Sequence, residues 1–196
     1  MNLIISELSE ISNESERNEP TICLNMIVKN ESKIIPRLFD SILSIIDTYC
    51  ICDTGSTDDT ISLIENYFKE RNIEGKIINI PFKNFGYNRT ETLKAAKNMA
   101  TYLLLLDADM ILQINDNFTK KDLCKPIYSI EQGDNSFKYM NVRLVRSDLD
   151  ITCVGVTHEY YSLPNNINST KLESLKSIYE RGIENKNERI KMLNRD

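Results

Sequence analysis

Tryptophan is absent from the 196 residues, histidine occurs once, at His158, and no two of the five cysteines form a CxxC pair. Structural zinc requires clustered Cys and His ligands at short spacings, so a zinc-built fold is excluded. An odd number of thiols without paired spacing also argues against a disulfide framework. Cys23, Cys50, Cys52, Cys124 and Cys153 are therefore expected to be reduced, which suits a reducing, cytoplasmic setting. Six glycines and five prolines are too few for a collagen-like or low-complexity chain. No stretch approaches the roughly 20 apolar residues of a membrane-spanning helix, so none is expected. Basic residues are in deficit, 24 against 29 acidic ones, for a net charge of −5. That leaves no basic surface for a phosphate backbone and excludes nucleic acid as the main partner. An acidic protein can still bind an anionic nucleotide where a metal ion or backbone amides supply positive charge.

The residues present are those of an ordinary globular chain, 41% hydrophobic and 27% charged, with enough length for one sizeable core. Heavy use of Ile, Asn and Lys suggests an AT-rich genome such as that of a parasite or a large DNA virus, in which case the setting would be the host cytoplasm. Residues 1–20, MNLIISELSEISNESERNEP, read as an acidic, flexible leader with one short amphipathic stretch. They have no basic segment ahead of an unbroken apolar run, and so no secretory signal. Residues 21–170 read as the main domain, and 171–196 as a C-terminal helix with Leu172, Leu175, Ile178 and Tyr179 on one face.

Within the domain, short β-branched runs alternate with helical periodicity. TICLNMIV, TYCIC, KIINI and YLLLL read as strands. Helices are expected from Ser32, as a cap, through Leu43, from about Thr57-Asp58-Asp59 through Phe68, and from Arg89 to Met99. Two further strands are expected over Phe137–Arg146 and Cys153–Tyr161. Strands without period-two alternation, separated by helices, imply a mostly parallel twisted sheet covered by helices on both faces, an α/β fold. The polar clusters Asn30-Glu31, Asp53-Thr54-Gly55-Ser56 and Asp107-Ala108-Asp109 each follow a strand. They fall on the carboxyl edge, where open α/β sheets bind ligands.

Asp107-Ala108-Asp109 is the sharpest of these signals. Side chains two apart in extended chain point the same way, so both carboxylates can reach one Mg²⁺ or Mn²⁺, with phosphate oxygens filling the remaining positions. The plainer reading is a pair of solvated turn aspartates. In DTGSTD, Gly55 permits a sharp turn, and Asp53 is placed to accept hydrogen bonds from a ribose or base. Its plainer reading is a turn leading into a helix cap. No phosphate-binding glycine loop is present.

Taken together, ICLNMIVKNE, CICDTGSTDDT, NFGYNRTETLKAA, YLLLLDADM and GVTHEYY resemble glycosyltransferase family 2, with its Rossmann-like GT-A fold. The closer likeness is to the branch often followed by helical repeats. The likeness runs from Thr21 to Tyr161 and implies a UDP-sugar donor. Asn30 and Glu31 would then line the nucleotide pocket, Asp53 would contact the uridine, and Arg89 would sit near the base or diphosphate. Asp107 and Asp109 would hold Mn²⁺ or Mg²⁺, with His158 on the metal or the diphosphate. Inverting members place a carboxylate base in the acceptor-side segment, often within a Glu-Asp pair. This chain has His158-Glu159 there, which makes Glu159 the expected base and Asp148 and Asp150 its competitors. Tyr160 and Tyr161 are candidates to stack on a sugar or simply to pack. The expected reaction is inverting transfer to a hydroxyl of a glycan, protein or small-molecule acceptor. The alternatives are a sugar-nucleotide nucleotidyltransferase, for which an early glycine-rich loop is missing, and a non-catalytic nucleotide-sugar-binding domain.

Overall fold

A computed structural model describes residues 19–133, 137–156, 159–164 and 167–179. The leader 1–18, His158 and the segment 180–196 lie outside the described residues. The first half alternates strands and helices: β1 (Ile22–Val28), α1 (Ile35–Ile42), β2 (Thr48–Asp53), α2 (Thr60–Lys69), β3 (Gly75–Asn79), α3 (Phe85–Ala96) and β4 (Tyr102–Leu105). Then follow β5 (Met110–Ile114), β6 (Ile127–Gly133), β7 (Lys138–Arg146), β8 (Thr152–Val154), β9 (Tyr160–Ser162) and β10 (Thr170–Tyr179). Eight strands form one sheet in the order β3-β2-β1-β4-β7-β6-β10-β5, and β8 and β9 pair separately. Four of its seven ladders are parallel, and each of the three antiparallel ones involves β7 or β5.

Strands β1, β2 and β4 are buried on both faces, which is why they read as continuous apolar runs, while β3 at the sheet edge is partly exposed. Along β1, Ile22, Leu24, Met26 and Val28 join Leu38 and Phe39 of α1 and Ile64 and Phe68 of α2. Cys23 turns the other way and meets Cys50, Leu103 and Leu105, with Leu93 and Ala96 of α3. Full burial of one such aliphatic or aromatic side chain stabilises by about 1.5–3 kcal/mol. Phe68 touches three rings, with centroids 4.7 Å from Phe39, 4.2 Å from Tyr49 and 5.4 Å from Tyr67. Truncating it would leave a cavity beside all three rings. All five cysteines are free and all but Cys124 are buried. Burial pushes the Cys23 thiol up to about 12 and those of Cys50 and Cys153 up to about 11, so these are inert packing groups. Among the described residues no helix is long and apolar enough to cross a membrane.

Several expectations need correction. The helix over 171–196 is contradicted in its described part, because Thr170–Tyr179 is a strand inserted between β6 and β5. The register against β6 shifts between Lys171 and Lys176. That irregularity breaks the two-residue alternation and leaves Leu172, Leu175 and Ile178 at a helix-like spacing. The sheet therefore runs past residue 170. The single strand over Cys153–Tyr161 is instead the hairpin strands β8 and β9, with Gly155 at φ +118° where the chain leaves β8. The first helix starts at Ile35 with no side-chain cap. Ser32 gives its hydroxyl to Asp58 Oδ2 at 2.6 Å instead. The third helix starts four residues earlier than expected, capped by Asn84, whose Oδ1 accepts from the Tyr87 amide at 2.8 Å. β5 and β6 were not anticipated, since MILQI follows the DAD turn too closely to separate from YLLLL.

Candidate active site

The loops after β1 and β2 are stitched together at the carboxyl edge. Asn30, at φ +57°, accepts the Thr57 amide on Oδ1 at 2.7 Å, and its own amide donates to Ser56 Oγ at 3.0 Å. The Glu31 amide donates to Thr60 Oγ1 at 2.8 Å. Asp58 takes hydrogen bonds from Ser32 and Thr60. Asp53 is buried at the end of β2, and its carboxylate accepts the amides of Gly55 at 3.0 Å and Ser56 at 3.1 Å. The turn needs Gly55, whose φ of +113° suits no side-chain-bearing residue. Asp53 thus fixes its own turn, while Asn30 and Glu31 lock two loops into one rim.

A second group spans the sheet beside that rim. Arg89 leaves α3 on the buried side, where Asn88 ties the preceding loop to the helix by accepting the Lys83 amide and donating to the Ile80 and Pro81 carbonyls. Gly86 approaches the hairpin closely: its amide donates to Gly155 O at 3.1 Å, and a Cβ there would lie 2.5 Å from the same oxygen. Thr90 Oγ1 accepts the Cys153 amide at 2.9 Å. These contacts clamp the β8–β9 hairpin to α3 and bring Glu159 to Arg89.

The Arg89 guanidinium then bridges two carboxylates, donating from Nη2 to Asp107 Oδ1 at 2.5 Å and from Nε to Glu159 Oε1 at 3.1 Å. From the opposite side Arg143 of β7 reaches Asp107 Oδ2 at 3.5 Å. Arg143 also donates to Gln132 Oε1 at 2.7 Å and to Leu105 O at 3.0 Å. Burial works against the Asp107 charge, but the two guanidiniums outweigh it and hold the carboxyl below its usual range. Burial likewise opposes the Arg89 charge, and Asp107, Tyr161 and Glu159 outweigh it, so its pKa is raised.

The arrangement therefore unites Arg89, Asp107 and Glu159, three of the residues expected from sequence. Asp109 lies two residues beyond Asp107 and is partly exposed. Asp148 and Asp150 are removed from it. They pair with Arg146 and Lys97 on the loop that follows β7, where Ser147 bonds to the Thr101 carbonyl at the amino end of β4. Asp107 lies past the other end of that strand. A cavity lined by Leu93, Leu103, Val145 and Ile151 opens at the same amino edge, also away from Asp107. Tyr161 is packed in the second core cluster, whereas Tyr160 is exposed. Arg143 was missed from the sequence. Its signal was a lone arginine in the apolar run VRLV, a charge that must be paired if buried.

Carboxylate oxygens of Asp107 and Asp109 suit a hard ion such as Mg²⁺ or Mn²⁺. Among the described residues no group of three or more His, Cys, Asp or Glu side chains forms a cage for one. These residues fit an ion that takes most of its ligands from a bound diphosphate and water.

A parallel α/β half with acidic groups at its carboxyl edge, extended by antiparallel strands, is the GT-A fold. The model of the family "Glycosyl transferase family 2" matches residues 23–121, half of the chain, and the chain belongs to that family. It is 29% identical over 107 residues to the SPbeta prophage-derived glycosyltransferase SunS of Bacillus subtilis strain 168, and equally to glycosyltransferase SunS of Bacillus phage SPbeta. Each match covers 54% of this chain and 24% of the relative, so the chain spans about a quarter of their length. Among solved structures, S. aureus TarS 1–349 in complex with UDP-GlcNAc superposes with a TM-score of 0.58 at 16% identity, covering 83% of this chain and 59% of that one.

Proposed function

We propose that this chain transfers a glycosyl group from a UDP-sugar, such as UDP-glucose or UDP-N-acetylglucosamine, to an acceptor hydroxyl with inversion. The observation that carries the reading is Arg89, buried and shared between Asp107 of the DAD turn and Glu159 of the hairpin. A carboxylate late in the chain held on the same guanidinium as Asp107 supports a base close to the metal-binding turn. The family, and relatives named as glycosyltransferases, support the same reading. The UDP-GlcNAc bound to the TarS structure suggests the donor class to try first.

In this reading Asn30, Glu31 and Asp53 bound the nucleoside end, and Asp107 and Asp109 would hold Mn²⁺ or Mg²⁺. Such an ion supplies a Lewis acid that neutralises the departing diphosphate. Arg89 orients Asp107 and Glu159 relative to one another. Glu159 takes the acceptor proton as the acceptor oxygen attacks the anomeric carbon and the bond from that carbon to the diphosphate oxygen breaks. Attack opposite the leaving group inverts the anomeric centre, which is why base and diphosphate side come from different parts of the chain. His158, outside the described residues, is proposed to contact the metal or the diphosphate. The acceptor is a glycan, protein or small molecule, approaching past the exposed Tyr160. Reduced thiols fit a cytoplasmic setting.

The test is UDP release from a panel of UDP-sugars, with and without Mn²⁺, with nucleoside triphosphates plus sugar 1-phosphates in parallel. Metal-dependent UDP release supports the reading. Pyrophosphate release from a triphosphate would make the chain a nucleotidyltransferase. Binding without turnover of any donor would make it a binding domain.

A further inference from the structure

We propose that Arg143 is a positioning residue, which fixes the Asp107 carboxylate in the orientation that nucleotide and metal binding require. The inference rests on the proposed function and extends it to a residue that neither the DAD turn nor the late His-Glu segment includes. Arg143 is 5% exposed, in the middle of β7. Its three groups of donors point three ways: Nε to Gln132, Nη1 to the Leu105 carbonyl, and Nη2 to Asp107. Leu105 ends β4, so the same guanidinium grips both the backbone that delivers Asp107 and the Asp107 side chain.

Gln132, fully buried on β6, is itself held. Its Nε2 donates to Tyr139 OH at 2.9 Å, and its Oε1 also accepts from Asn141 at 3.3 Å. A guanidinium fixed on two sides by neutral groups has one direction left for its charge, and that direction is Asp107. Arg89 differs: it divides its charge between Asp107 and Glu159. Arg143 supplies the fixed side of the grip on Asp107.

Stability alone is a poor reason for such a group. A buried ion pair is often matched or bettered by apolar residues of the same size, whereas groups that orient a metal-binding side chain are costly to lose in function. A rigid fork making three separate contacts also explains arginine here, since lysine offers a single ammonium point.

The test uses Arg143→Met, Arg143→Lys, Asp107→Asn and the Arg143→Met/Asp107→Asn double variant. UDP binding with Mn²⁺ is measured by calorimetry, alongside kcat and KM for UDP-sugar turnover. Arg143→Met should weaken Mn²⁺-dependent UDP binding by about 10- to 100-fold, the usual range for groups that orient metal ligands. Arg143→Lys should recover part of the loss. In the Asp107→Asn background Arg143→Met should cost nothing more, because its effect passes through Asp107. A purely structural arginine would lower the melting temperature and leave UDP affinity unchanged, or add its full cost in the double variant, and either result overturns the proposal. Should Arg143→Met not fold, Arg143→Lys carries the test, and wild-type UDP affinity in that variant overturns it. If the wild-type protein binds no UDP with Mn²⁺, the proposed function falls and this inference with it. Wild-type binding with unaffected variants removes the inference alone.

Discussion

The two halves of the sheet build their parts of the site by different means. In β1 to β4 each polar group lies at the end of its own strand, and the loops are held by short side-chain-to-backbone bonds such as Asp53 to Gly55 and Ser56. In β5 to β10 the bonds that reach the site are long-range. Arg143 reaches Leu105 across 38 positions, Arg89 reaches Glu159 across 70, and Thr90 holds Cys153 across 63. The first half can therefore form a rim for a ligand largely on its own sequence. The side proposed for the acceptor depends on the hairpin being clamped on α3. In the proposed function the locally built end takes the nucleotide and the end built by tertiary packing takes the acceptor.

The largest expected effect separates the halves by function. Glu159→Gln keeps shape and hydrogen bonding but cannot take a proton, so transfer should slow by on the order of 10²-fold or more while UDP affinity stays near wild type. A normal rate, or a change in melting temperature with no change in rate, would leave Glu159 as only a partner of Arg89. Gly86→Ala breaks the clamp itself. Its Cβ would sit 2.5 Å from Gly155 O and 3.0 Å from Cys153 O, both backbone atoms that cannot turn aside. Destabilisation of about 1–3 kcal/mol is expected in chemical unfolding, with transfer hurt more than UDP binding. Equal loss of both would mean that the halves are not separable.

The smallest effect belongs to the rim. Slight burial would raise the Asp58 pKa, but hydrogen bonds from Ser32 and Thr60 outweigh it and hold the carboxyl at about 2. A folded value below the unfolded one of about 3.9 contributes stability that is present above pH 4 and lost as pH falls toward 2. Asp58 is exposed, so solvent screening keeps its contribution below about 1 kcal/mol. Asp58→Asn should flatten the acid limb of the stability curve in that window and leave transfer at neutral pH unchanged. An unaltered acid limb would show that the two loops do not depend on this carboxylate.

The same contrast governs how much could be read from the sequence. Strands β1, β2 and β4 were legible because burial on both faces writes an unbroken apolar run, and Asp53 and Asp107 because they end such runs. Arg89 and Glu159 came only from the family likeness, since nothing local to either marks a contact 70 residues away. Arg143 was passed over because its partner, Asp107, is distant in sequence. β10 was mistaken for a helix because a register shift imitates helical spacing. Asn30 and Glu31 sit at the expected edge, where their described contacts tie two loops together.

The central property of the proposed site is that the DAD turn binds a nucleoside diphosphate together with a metal. The direct measurement is the thermal shift of the full chain with UDP, in Mn²⁺ and in EDTA, for the wild-type protein and for Asp109→Asn. With UDP at a hundred times its dissociation constant, the wild-type protein in Mn²⁺ should gain about 2.7 kcal/mol of apparent stability. EDTA or Asp109→Asn should remove most of that gain. An equal shift in EDTA and in the variant, or no shift under any of these conditions, would contradict the account.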